Sequence, residues 1–132
     1  PTRILTAYRD LNNNDVCDPT DETVATVALP KNVSFWGPLD TASGGAAATT
    51  FTNATVVFQA AGSVSAASVP ADTNIDGGFR LRGKNPDYFE VAIEQRSVGT
   101  GRVSIRKWEG GGNPNAAWYQ NGEEGHKWVW NG

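Results

Sequence analysis

The segment "GFRLRGKNPDYFEVAIEQRSVGTGRVSIRKW", Gly78 to Trp108, decides the fold. Within it "GFRLRG", "YFEVAIEQ" and "GRVSIRKW" each alternate apolar and polar residues, and "KNPD" and "RSVGT" between them are rich in turn formers. Alternation with a period of two marks strands that pack one face and turn the other away, and short connections of this kind join strands antiparallel. The segment therefore reads as a three-stranded meander.

Outward from the meander, helical periodicity is missing because Gly, Pro, Asn and Thr interrupt almost every window of helix length. "RILTAYR" and "TVATVALP" alternate β-branched and polar residues on either side of "DLNNNDVCDPTDE", Asp10 to Glu22, so they read as a β-hairpin with an acidic tip. After Pro30, "KNVSFW" offers a short strand, and "GPLDTASGGAAATT" has the composition of a long surface loop. A further strand is expected at "ATVVF", Ala54 to Phe58, followed by a turn or bulge at Gly62 and a loop from Ala66 to Gly77. Residues 109–132 read as a Gly/Trp-rich tail, yet Trp118, Tyr119, Trp128 and Trp130 make it too aromatic to be merely disordered. The expectation is one mainly β domain over residues 1–132, built on a single antiparallel sheet.

The chain has 132 residues and a net charge of −3, enough length for one core and no sign of a second domain. Its Gly, Ala, Thr and Asn content with few charges suits an extracytoplasmic surface better than a cytosolic helical enzyme. Cys17 stands alone, which excludes an intrachain disulfide and a multi-cysteine zinc site; it is expected as a small, partly buried side chain in a turn. No run approaches the ~18 apolar residues of a membrane helix, and no signal peptide opens the chain. Any export signal or membrane segment is expected to have been removed or to lie on another chain.

Catalysis is not expected. His126, the single histidine, lies in the Gly-flanked "EEGHKW", a poor place for a rigidly held base, and no phosphate loop or metal-spaced His/Cys cluster occurs. The carboxylates of the first loop and of Glu123 and Glu124 belong to turns, where acids stay ionised and solvated.

The acidic loop admits two readings. Counted as a twelve-residue calcium loop from Asp10, it places oxygen donors Asn12, Asn14 and Asp18 at positions three, five and nine, with the Val16 carbonyl at seven. It departs from that loop at position six, where Asp15 replaces glycine, and at twelve, where Asp21 stands one residue before Glu22. The preferred reading is a self-capped turn, because Asn and Asp side chains accept hydrogen bonds from turn N–H groups and tolerate left-handed backbone. A calcium site at Asp10, Asn12, Asn14, Asp18 and Asp21 is the alternative, and no other cofactor is expected.

Seven of the eleven basic residues fall in the meander: Arg80, Arg82, Lys84, Arg96, Arg102, Arg106 and Lys107. Alternation puts Arg102, Ser104 and Arg106 on one face of the last strand, with Val103 and Ile105 on the other. This is either a stripe for nucleic acid or another anion, or a solvated sheet face with cross-strand pairs to Glu90 and Glu94, and the paired face is preferred.

The hairpin "AYRDLNNNDVCDPTDETVATVALP", the later "VVFQAAGSVS" and the closing "GTGRVSIRKW", in this order, resemble the globular domain of FimT and GspH-like minor pilins and pseudopilins. The resemblance spans roughly Arg3 to Lys107. It implies a structural subunit of a type IV pilus or type II secretion pseudopilus of a bacterium, acting in an extracellular filament or periplasmic pseudopilus. It also implies a long apolar helix on which the β-rich head packs, and other pilin subunits as neighbours. Since the chain opens on the first strand, that helix is expected to have been removed by processing or to belong to a separate small subunit, as in split two-chain pilins. Ile4, Leu5, Val56, Val57, Val91 and Ile93 are the residues expected to pack on it, because an uncovered apolar sheet face is a poor surface for a soluble monomer. Some relatives of this kind bind DNA through a late Gly-Arg-x-Arg motif. Gly101 and Arg102 match its first two positions and Ser104 replaces the second arginine, so DNA binding through Arg102, Arg106 and Lys107 is the alternative function rather than the favoured one.

Overall fold

The computed structural model describes residues 3–51, 54–60, 62–65, 74–85, 87–96 and 102–129. The expected loop at 66–73, the turn at 97–101 with Gly101, Trp130 and the Glu124 side chain lie outside the described residues. The described chain is mainly β, with two antiparallel sheets and no α-helix. β1 (Ile4–Arg9) and β2 (Glu22–Ala28) form a two-stranded hairpin. β3 (Ser34–Phe35), β4 (Asn74–Arg82), β5 (Tyr88–Arg96), β6 (Arg102–Trp108) and β7 (Trp118–Gln120) pair in that order in the second sheet.

The meander lies where its alternation puts it. β4 starts earlier than "GFRLRG" because Gly77 and Gly78 are strand residues used for close approach. A Cβ on Gly77 would meet the Phe51 ring and Thr50 Oγ1, and one on Gly78 would collide with the Glu90 side chain. On one face the register aligns Phe79 with Val91 and Ile105, and Ile93 with Val103; on the other it aligns Arg80 with Glu90 and Arg106.

Over β4 and β5 the apolar face is covered by the chain itself, while Val103 and Ile105 of β6 on the same face stay exposed. Phe51, Val64 and Ile93 form the buried cluster, with Val56 and Phe79 packed against it, and the Phe51 and Phe79 rings lie 5.2 Å apart. "ATVVF" is not a strand. Ala54 takes a left-handed φ of 51°, and the segment contributes only a single bridge, Phe58 with Val64, closed by a turn in which Gly62 N–H donates to Gln59 O. Val57 O accepts from Ser65 N–H, and Val56 packs on the buried cluster, so the valines serve the sheet as a cover. The long loop at 37–50 is likewise more than surface: Thr49 bridges Phe79, Ala48 and Pro38 are buried, and Asp40 accepts from Gly37 and Ala47 N–H.

The Trp-rich tail belongs to the fold. Glu109 N–H donates to Ala117 O at the start of the β6–β7 pairing, Trp118 Nε1 donates to Pro114 O, and the Trp118 ring lies 5.1 Å from the Arg80 guanidinium carbon. Beyond β7 the chain turns through a 3-10 turn at Glu123–Gly125, stacks His126 on Tyr119 and sets Trp128 edge-on to Phe89 at 5.7 Å. One part of the tail thus covers the charged face and the next returns over the apolar face.

Candidate functional site

The acidic tip is closed by its own side chains. Asp10 accepts from Asn14 and Asp15 N–H, Asn12 Oδ1 from Asn14 N–H, and Asn14 Oδ1 from Val16 N–H. Asp21 accepts from Leu11 and Asp18 N–H, while Asp18 accepts from the Thr20 N–H and hydroxyl and from the Asn12 and Asn14 amides. Asn13 and Asp15 have left-handed φ of 56° and 58°, which Asn and Asp tolerate best among residues with a Cβ. The oxygens proposed for calcium therefore face N–H and O–H donors of the turn. No group of three or more His, Cys, Asp or Glu with metal-site geometry occurs among the described residues. Cys17 is exposed on this tip, not partly buried, because the turn leaves nothing above it.

The Thr20 hydroxyl, then the Thr20 N–H and the two amides, hold the Asp18 carboxyl well below the usual carboxylate range. A lowered folded-state value means stability that is present above the ordinary value and is lost only as pH falls through the lowered one. Asp18 is accordingly expected to titrate below 3.8 by NMR, and Thr20→Val to move it back toward that value. Added calcium is expected to leave the melting temperature unchanged; a rise in wild type that Asp21→Ala abolishes would reinstate the calcium reading.

The basic strand is largely neutralised. Arg80 Nε lies 2.8 Å from Glu90 Oε2, with both side chains buried, and Arg80 Nη1 also donates to Ala47 O and Asn115 Oδ1. The face expected to be solvated is dry here, because the loop at Ala47 and the tail at Asn115 and Trp118 close over it. Arg106 pairs with Glu94 and Glu90, Lys107 Nζ lies 3.7 Å from Asp87 Oδ1, and Arg102 is exposed. Lys107 shares its face with Phe89 and Tyr119, opposite Arg106, so the three residues proposed for DNA do not form one surface.

The apolar candidates also divide. Ile93 is buried in the core, Val56 packs against it, and Val57 and Val91 are half-buried, so the chain's own loops occupy the face assigned to a helix. Ile4 and Leu5 remain about half exposed, and as consecutive strand residues they point to opposite sides of the hairpin. Left out of the expected packing set are Val24 and Val27 on β2, and Val103 and Ile105 on β6, the last two placed on one face by alternation; all four are exposed. Leu5 stands opposite Val27 and Ala7 opposite Ala25, an apolar cross-strand set that could have been read by pairing the two hairpin strands.

Nearly every residue of β1 and β2 is exposed on both faces; Tyr8, near the tip, is the partly covered one. Its hydroxyl is pushed above the ordinary 10 by burial first and then by Cys17 and the loop carboxylates. The hairpin meets the rest of the chain at its ends. At the tip the Ser65 hydroxyl donates to Asp15 at 2.6 Å, and at the base Arg3 lies beside residues around β3 and the end of β4. Comparison with protein-family models, with curated proteins and with solved structures finds no match for this chain.

Proposed function

We propose that this protein is the β-rich head of a filament subunit of the pilin or pseudopilin kind, acting by assembly and surface display rather than by catalysis. The observation that supports this reading is the β1–β2 hairpin, tethered at tip and base and exposed along both faces. A two-stranded hairpin is marginally stable in water unless a third strand, helix or packed face covers it. Its Ile4, Leu5, Val24 and Val27 are each about half exposed or more, which is the kind of surface that a protein partner covers. An apolar helix, from the same precursor or from a separate subunit, is the partner this reading assigns to the hairpin, and neighbouring subunits are assigned the exposed Val103 and Ile105 of β6. The sheet's own core is already filled, so the hairpin, not the sheet face, carries the helix contact.

The test places Leu5→Lys and Val27→Glu together, an opposite-charge cross-strand pair that keeps the hairpin register, in the full gene product of the source bacterium. Both positions are exposed and paired on one face, so the folded head should change by less than about 0.5 kcal/mol. Wild type is expected in the sheared surface-filament or pseudopilus fraction, and the variant is expected to be lost from it. Wild type missing from that fraction, or a variant recovered as well as wild type, would count against assembly.

A further inference from the structure

The four cations Arg3, Lys31, Arg82 and Lys84 line one cleft of about 390 Å³ between the hairpin base, the β2–β3 connection and the end of β4. Trp36 and Ser43 complete the part of the wall that concerns recognition, and among the described residues no Asp or Glu lines it. In a chain of net charge −3 this is an uneven placement of charge. Arg80, Arg106 and Lys107 elsewhere in the sheet each have a carboxylate, whereas the four cations of the cleft, like the exposed Arg102 of β6, have none among the described residues.

Two of these cations are positioned rather than loose. The Arg82 guanidinium carbon lies 4.5 Å from the centre of the Trp36 ring, a cation–π contact that holds the group at the cleft. Arg3 donates one terminal N–H to Pro30 O, and its Nε is buried without a hydrogen-bond partner among the described residues. A buried donor left unsatisfied costs free energy, and like charges gathered in a concave wall raise that cost. An oxyanion in the cleft would offset both terms. Four positive charges in so small a volume, two of them held in place, call for dense negative charge, and arginine forks match the tetrahedral oxygens of phosphate.

We propose that this cleft is a binding site for a ligand carrying several phosphates, whether a small oligophosphate compound or successive phosphates of a single-stranded nucleic acid. The site is separate from the basic face of β6 and does not depend on the assembly reading. Its probe is tripolyphosphate, titrated calorimetrically into the folded protein at low salt. Binding is expected, and Lys31→Glu with Lys84→Glu is expected to weaken it by about tenfold or more. Both lysines are exposed and make no ion pair among the described residues, so the fold should be retained, and an unchanged melting temperature checks this. The charge-matched control is Arg102→Glu with Lys127→Glu, two exposed positions outside the cleft, which should bind as wild type does. No binding by wild type, or equal loss in both double variants, would overturn the proposal, the second because it would reflect net charge alone. A short oligothymidylate distinguishes the sources. Salt-dependent binding that tripolyphosphate displaces identifies nucleic-acid phosphates, and tripolyphosphate binding without oligothymidylate binding identifies the small compound.

Discussion

Glu90→Leu should destabilise the domain by about 3–5 kcal/mol, a large part of the roughly 5–15 kcal/mol that holds a domain of this kind folded. Arg80 and Glu90 are only 3% and 4% exposed at their side chains, so neither charge is solvated. Removing the carboxylate leaves the Arg80 guanidinium beneath Trp118 with neutral partners only, the Ala47 carbonyl and the Asn115 amide oxygen. Arg106 cannot make up the loss, since it is a cation and keeps Glu94 as its own partner. The magnitude comes from the uncompensated charge and not from the value of the pair itself. For that reason Arg80→Met combined with Glu90→Leu should recover most of the loss. Denaturant unfolding decides this: the midpoint of the single variant should fall sharply with little change in slope, and that of the double variant should return toward wild type. A single variant within about 1 kcal/mol of wild type would mean that water reaches Arg80.

The same pair shows how far the sequence could be read. Alternation in "GFRLRG", "YFEVAIEQ" and "GRVSIRKW" is local, and it correctly placed Arg80, Glu90 and Arg106 on one face. Whether that face is wet or dry depends on Ala47, Asn115 and Trp118, which come from loops far away in the chain, and no periodicity reports them. Gly77, expected as the end of a loop, is a residue of β4 for a related reason. Two adjacent glycines look like a loop, but here they make room within β4 for Phe51 on one side and Glu90 on the other. "ATVVF" failed in the opposite direction, since strand propensity is realised only beside a partner strand, and among the described residues Ala54 to Phe58 pairs through the Phe58–Val64 bridge and not as a strand. The acidic tip was legible in detail because its bonds run between residues close in sequence, as with Asp10 to Asn14 and Asp18 to Thr20. The basic cleft was not, because Arg3, Lys31, Arg82 and Lys84 are brought together only by the arrangement of the hairpin base against β3 and β4.

Phe51→Ala is the second large effect, with an expected loss of about 3–5 kcal/mol in the isolated domain. Phe51 is 4% exposed and touches the two other members of the buried cluster, Val64 and Ile93, while its ring also meets Phe79. The segment that supplies Phe51 is fastened to β4 by the Thr49–Phe79 bridge and by Thr50 N–H donating to Gly78 O, so the wall around the ring is held and a cavity there has little chance to collapse. The result bears on the proposed helix contact. If a separate helix were the true cover of the Ile93 face, the isolated domain would hold Phe51 only loosely and its truncation would be nearly neutral. If the chain completes its own core, the full cost appears with no partner present. Ile93→Val provides the scale, since it removes one methylene from the opposite wall of the same cluster and should cost only about 0.5–1.5 kcal/mol. Thermal and denaturant melts of the two variants should therefore differ severalfold in their effect. Near-neutral behaviour of Phe51→Ala would return the sheet face, rather than the hairpin, to the role of helix-binding surface.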